Sequence, residues 1–388
     1  MRVATLLLGI LCLLVVLLDA FQTIILPRRA AGRLRLTRIF YILTWIPWRF
    51  VALRIHHPRK RETALSFYGP LSLIFLLVVW ACGMVFGFSL IYYALGNPFN
   101  DASHQLGYLS GLYVSGTSFF TLGLGDVIPR GEAARALLTI EGGTGFGFLA
   151  IVMGYFPVLY GAFSRREVSI SLLDARAGSP PTAAELMRRH SFDGAENALA
   201  SLLSEWERWS AELLESHISY TLLCYFRSQH TNQSWLSALT AILDTSSLLI
   251  AGVQGHEARQ AQLTFAMARH AVVDLAQVFS IAPKQNMPDR LPRERYERLY
   301  QMLCQGGVSV CRDGQSYERL RDLRALYEGY AEALSEHLSM PLPPWIAEQP
   351  RKDNWLAVAK VRSQAEAANP LTSESQRVAD IIDQHHEF

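Results

Sequence analysis

The 388-residue sequence predicts an all-α membrane protein: three transmembrane helices, with a re-entrant helix and an extended segment before the third, then an α-helical bundle. Three observations predict this class. Apolar runs at Thr5–Leu18, Leu71–Leu95 and Ala133–Phe163 are long enough, or extend far enough, to cross a hydrocarbon core. Between the last two lies Leu109–Pro129, whose centre, Thr121-Leu122-Gly123-Leu124-Gly125-Asp126, places glycine at every second position. Beyond residue 183 apolar residues recur at threes and fours, as on the inward faces of packed helices.

The first run carries only Arg2 before it and ends Leu17-Leu18-Asp19-Ala20-Phe21, without a small-x-small cleavage site. It is expected to stay attached and to reach about Ile25 as a span. The next stretch, Gln22–Tyr68, holds ten Lys/Arg against one acid, Glu62, so it should remain on the cytoplasmic side. This sets the N-terminus outside and the C-terminal part inside a cell membrane, with Arg165-Arg166 anchoring the inner end of the third span. Ile39–Ile55 is apolar but broken by Pro47 and carries Arg49 and Arg54, which suits an interfacial helix pair rather than a fourth span.

Charge follows the same division. Met1–Ser164 has 13 Lys/Arg and 6 Asp/Glu, a net of +7, and the remainder has 23 and 28, a net of −5. The basic excess lies beside membrane helices, so no nucleic-acid partner is expected. Cys12, Cys82, Cys224, Cys304 and Cys311 have no metal-binding spacing and read as reduced, largely buried thiols. No phosphate loop, nucleophile–base pairing or metal signature points to an enzyme, and no cofactor is expected.

Leu71–Leu95 is the second span, Gly96–His104 an exposed turret, and Leu106–Phe120 a half-helix with its negative end aimed at mid-membrane. Thr121–Asp126 is then an extended segment at membrane depth, tolerable only where protein or pore water satisfies it. Carbonyl oxygens that replace the water around a cation must point one way along an axis. Aiming them together requires left-handed backbone, which glycine enters without strain. Thr121 adds a hydroxyl at one end, and Asp126 a carboxylate at the mouth.

On these residues the segment 71–163 resembles the potassium-channel pore family, specifically a bacterial type with one pore loop per chain and a helical cytoplasmic tail. The resemblance implies a filter of Thr121, Leu122, Gly123, Leu124 and Gly125, with Asp126 at its mouth and permeant K⁺ inside. It also implies a homotetramer in the lipid bilayer, and a hinge in the inner helix near Gly145. Leu122 and Leu124 stand where the family has Val and Tyr, Phe120 where it has Thr, and Tyr113 and Val114 where it has tryptophans. The missing tyrosine hydroxyl removes one tie between filter and half-helix. A weakly selective cation channel and a non-conducting, membrane-anchored helical binding or sensor protein remain alternatives.

Glu132–Phe163 is the inner helix, with a gating hinge expected at Gly143, Gly145 and Gly147 and a second kink at Pro157. Glu141 is its one intramembrane acid. It is expected either to brace the filter through Thr117 or Ser118, or to ring the cavity with negative charge. Ala177–Thr182 reads as a linker. Helices then follow: Leu199, Leu202, Leu203, Trp206, Trp209, Leu213 and Leu214 form one stripe, and Trp235–Ile250 is apolar nearly all round. Glu257–Phe279 and Gln315–Leu338 are two further amphipathic helices. His217, His230, Asp244, His270 and Asp274 read as satisfied polar groups, with a ligand or protein partner on this domain left open. The chain thus divides into residues 1–68, 69–164, a linker 165–183, a helical domain 184–345 and a polar tail 346–388.

Overall fold

The computed structural model describes residues 2–26, 35–101, 107–190, 196–228, 232–252, 256–306, 308 and 315–347. Residues 102–104 of the turret, the start of the expected half-helix at Leu106, His230, Cys311 and the tail from 348 lie outside them. Among the described residues twelve α-helices carry the fold: α1 Arg2–Ala20, α2 Leu36–Leu53, α3 Pro58–Ala94, α4 Tyr108–Phe119, α5 Glu132–Ala177, α6 Ala183–Arg189, α7 Glu196–Ser219, α8 Trp235–Gly252, α9 His256–Val278, α10 Arg293–Gln305, α11 Ser316–Ala325 and α12 Glu328–Leu338. The sheet is one short antiparallel pair, β1 Phe99–Asp101 with β2 Val127–Pro129.

Four helical segments are long and apolar enough to cross a membrane: residues 2–25, α3, α5 and α8. Three of them expose most of their apolar surface. The fourth, α8, is 94% buried and forms the centre of the helical domain, so three spans remain. α1 lies along α3 at a seam of small residues. A Cβ on Gly9 would come within 2.8 Å of the Gly87 carbonyl, and one on Gly83 within 2.8 Å of Val16. Small residues at a membrane interface let backbones approach closely and gain dispersion contacts. At the end of α1, buried Asp19 accepts from the Thr37 amide (3.1 Å), the Thr37 hydroxyl (2.5 Å) and the Trp80 indole (2.9 Å). One carboxylate thereby caps α2 and fixes three helices.

α2 is a single helix through Pro47, not the expected pair. Its Ile39, Ile42, Leu43, Ile46 and Phe50 are exposed. On other faces, Arg38 donates to Ser280, Arg49 to Ser339 and the Trp45 indole to the His337 carbonyl. An apolar face left open beside a polar face docked on protein is the pattern of an interfacial helix.

Two expectations are corrected around α5. The inner helix does not end near Phe163 before a linker 165–183. It runs unbroken to Ala177, and only residues 178–182 interrupt the helical chain. Forty-six residues at about 1.5 Å each make a rod of about 69 Å, twice the hydrocarbon thickness. Its last turns join the main core: Ile170, Leu173 and Ala177 pack in one cluster with Trp45, Leu65, Tyr68, Trp235 and Leu243. Nor does Arg166 anchor in headgroups. It is buried and donates to the carbonyls of Leu223 and Phe226, each at 2.9 Å, with Glu167 and the His217 ring beside it.

In the helical domain the stripe Leu199 to Leu214 and all of α8 but Ile250 are buried, as the periodicity predicts. Gln315–Leu338 is two helices rather than one, broken at Leu326–Tyr327. The break turns the Tyr327 hydroxyl onto buried Asp244 at 2.5 Å, where Arg290 also donates from two nitrogens. Asp244 and Glu328 hold the Arg290 guanidinium protonated, raising its pKa against the opposing cost of burial. Asp274 meets His270 at 3.3 Å. Two thiols depart from expectation, because Cys82 and Cys304 are exposed.

Candidate functional site

Thr121–Asp126 follows α4 after its capping residue Phe120. Backbone φ is +57° at Thr121, +55° at Gly123 and +75° at Gly125, so every second residue enters the left-handed region. The glycines accept this freely. Thr121 is β-branched, and its conformation costs about 1–2 kcal/mol unless held. It is held: the Thr121 amide donates to the Ser118 carbonyl (2.9 Å), and the Leu122 amide to the Thr117 carbonyl (2.8 Å). The end of α4 therefore hands its free carbonyls to the first residues of the segment. Sequence reasoning asked for this conformation at glycines and overlooked Thr121.

The far end is clasped by the short sheet. Phe99 pairs with Pro129, Asn100 with Ile128 and Asp101 with Val127, and the Arg130 amide donates to the Pro98 carbonyl at 2.6 Å. A strand formed by the turret was not legible in the sequence. A three-residue pairing across 28 positions leaves no local periodicity to read. The Tyr113 hydroxyl donates to the Asp126 carboxylate at 2.8 Å. A tie between α4 and the end of the glycine-bearing segment thus exists, although Leu124 offers none. The hydroxyl comes from the half-helix, and the acceptor lies one residue past the glycines. Residues 120–126 are all exposed on a single copy, Leu122 at 62% and Leu124 at 63%.

Behind the segment α4 rests on α3 and α5. A Cβ on Gly145 would lie 1.9 Å from the Phe119 carbonyl oxygen, so only glycine admits this contact. Gly143 and Gly147 have no heavy atom within 4 Å of a built Cβ, and α5 is continuous through all three. The packing requirement falls on Gly145 alone. Glu141 is fully buried, but its partners are not Thr117 or Ser118. It accepts from the Tyr92 hydroxyl at 2.9 Å and from the Ser115 hydroxyl. Thr117 instead donates to the Val114 carbonyl at 3.0 Å, and Ser118 to the Leu138 carbonyl at 3.3 Å. The acid joins α3, α4 and α5 behind the filter segment. The expected partners, Thr117 and Ser118, lie on the right helix but the wrong face: Ser115 is the buried serine of the turn.

This geometry is a span, a half-helix, a strained extended segment and a second span. Residues 75–159, which contain it, match the family described as ion channel. The uncharacterized membrane protein YdjJ of Bacillus subtilis (strain 168) is similar at 25% identity over 183 residues, 46% of this chain. The chain spans about half the length of that curated relative, 52% of it. No solved structure matches the chain. The family match and the half-helix and extended segment thus fall on the same residues, within 75–159 of a membrane protein.

Proposed function

We propose that the chain is a passive, potassium-selective cation channel of four identical copies, with residues 121–125 as the carbonyl filter and Asp126 at its outer mouth. The observation that carries this reading is the left-handed backbone at Thr121, Gly123 and Gly125 within a segment wholly exposed on one copy. Alternate left-handed residues turn successive carbonyls toward one side, which is what coordination of a dehydrated cation requires. One such segment cannot surround an ion, so copies meet about an axis. The pore supplies no catalytic step; it lowers the cost of dehydration. The family match supports conduction of ions, and the potassium preference rests on the segment itself.

The proposal includes orientation. The N-terminus and the turret Gly96–His104 face outside, and Gln22–Tyr68 and the chain from Arg165 face the cytoplasm of a cell membrane, because the Lys/Arg excess flanks that side. The helical domain acts on α5, which enters its core. Leu124 supports a second reading, a channel of reduced selectivity, since its exposed side chain brings no hydrogen bond to resist widening of the filter.

Gly125→Ala tests the filter. A Cβ there meets nothing nearer than the Gly123 carbonyl at 4.0 Å, so the substitution acts through backbone strain alone, about 1 kcal/mol or more in each copy. Potassium flux into proteoliposomes should vanish while the tetramer keeps its size. Unchanged flux would place the filter elsewhere.

A further inference from the structure

A cavity of about 950 Å³ lies where the membrane helices meet the helical domain. Its size is at the top of the range for ligand sites. One wall is α2 and the residues before it, another is α3, and the third is the end of α9 with residues 218–225. Tyr155 of α5 also reaches it.

The lining is mixed in chemistry. Ile39, Ile42 and Ile46 line it and are themselves 43%, 49% and 61% exposed. The mouth therefore opens along the apolar strip of α2, the face suited to the interior of a leaflet. Arg38 and Arg35, one and two turns before Ile42 at the same helix end, line it as well. Arg35 Nη2 donates to Thr23 at 2.9 Å, but its buried Nε has no hydrogen-bond partner; the Asp19 carboxylate, already engaged by Thr37 and Trp80, is 3.9 Å away. Arg38 reaches only the neutral Ser280 hydroxyl, at 3.3 Å. His337 Nε2, also on the wall, is buried without a partner. Asp274 is the acid of the lining, and His270 sits beside it at 3.3 Å.

Among the described residues neither lining arginine has a carboxylate within hydrogen-bond distance, so an oxyanion entering the cavity would gain charge-assisted hydrogen bonds from both. We propose that this cavity binds an anionic phospholipid from the adjoining leaflet, its phosphoryl oxygens accepting from Arg35 and Arg38 and its acyl chain leaving along Ile42 and Ile46. A free phosphate ester would use the same arginines but would not need the apolar mouth. The inference does not depend on conduction.

The test is native mass spectrometry of the full chain in detergent, with dioleoyl phosphatidylglycerol, dioleoyl phosphatidylcholine or glycerol 3-phosphate added separately. Phosphatidylglycerol should be retained, and the other two should not. Arg35→Gln with Arg38→Gln should weaken retention about tenfold or more, the worth of one charge-assisted hydrogen bond. Arg54→Gln with Arg59→Gln removes as much charge outside the cavity and should leave retention intact. Should loss of Arg35 unsettle the Asp19 cap, Ile42→Trp blocks the mouth without touching a charge and must also abolish retention. Equal retention of both lipids, equal loss in the Arg54 and Arg59 variant, retention by the Ile42 variant, or equally tight glycerol 3-phosphate binding would each overturn the proposal.

Discussion

Glu141 offers the sharpest separation between a structural brace and a charge that acts on ions. Its carboxyl group meets two buried hydroxyls. Tyr92 donates to one oxygen, Ser115 lies against the other, and the Ser115 hydroxyl also lies 2.9 Å from the Val85 carbonyl. Ser115 has one proton for two acceptors. An amide resolves that conflict: the glutamine carbonyl accepts from Tyr92, its NH₂ donates to Ser115, and Ser115 donates to Val85. Glu141→Gln should therefore be close to neutral in stability and in flux. Glu141→Ala leaves the Tyr92 hydroxyl buried without an acceptor, at about 1–3 kcal/mol per copy, and adds a cavity among α3, α4 and α5. Summed over a proposed tetramer, about 4–12 kcal/mol of support behind the filter would be lost. Thermal unfolding of the detergent-solubilised protein and potassium flux measure the two effects. The alanine variant should unfold at lower temperature and conduct little, with the glutamine variant near wild type. A glutamine variant that keeps its stability but loses flux as fully as the alanine one would refute the brace and assign the carboxylate to the ion path.

The remaining predictions concern topology, the filter mouth and the tail. Cysteines placed at Asp101 and Ser179 should label from opposite faces of the membrane, and labelling of both from one face would end the proposed orientation. Tyr113→Phe removes the tie to Asp126 and should lower the potassium-to-sodium preference read from bi-ionic reversal potentials; an unchanged preference would mean that packing alone holds the filter. Arg166→Met keeps the apolar stem but leaves the Leu223 and Phe226 carbonyls without their donor. Hydrogen exchange of the amides of residues 221–226 should then quicken while the rest of the helical domain stays protected. Unaltered protection would show that Arg166 does not hold this turn.

The parts of the fold legible in the sequence are those written in short-range patterns. The apolar runs place the spans, and the Leu199–Leu214 stripe places the inward face of α7. The alternating glycines mark where the backbone must turn left-handed. What escaped the sequence depends on residues far apart along the chain. The β1–β2 pairing joins Asn100 to Ile128, the Tyr113–Asp126 bond spans the filter, and Asp19 selects Thr37 and Trp80. Glu141 was recognisable as costly, because a lone acid in an apolar helix must find partners. Which partners it found depended on the rotation of α4 about its axis, and that is set by the Gly145–Phe119 contact rather than by α4's own sequence. The length of α5 was misread for a related reason. Polar residues after Phe163 look like an exit from the membrane, and they are one, but Ile170, Leu173 and Ala177 keep a helical face that a second domain buries.

That length has a mechanical consequence. α5 touches the carbonyl of Phe119 at Gly145 and holds the 221–226 turn at Arg166, about 32 Å farther along one continuous helix. Between the two contacts, Tyr155, Leu159 and Ala162 share a buried cluster with Leu73 of α3 and with Leu222, Leu223 and Phe226. Phe226 is wedged against Gly69, where a Cβ would come within 2.8 Å of its ring. A movement of the helical domain thus cannot leave α5 behind without breaking buried contacts on both sides of the wedge. Pro157 lies inside this interval and lacks the amide that would stiffen it, so in a channel that gates through α5 bending is expected there rather than at Gly143 or Gly147. On that proposal the hinge glycine expected from the sequence is the fixed end of a lever. Its close contact keeps α4 seated while the proline-bearing turn yields. Pro157→Ala and Gly145→Ala therefore separate the roles. The first should stiffen gating and leave the filter intact, and the second should disturb selectivity because the Phe119 carbonyl has to move; the reverse assignment in reversal potentials and open probability would refute the lever.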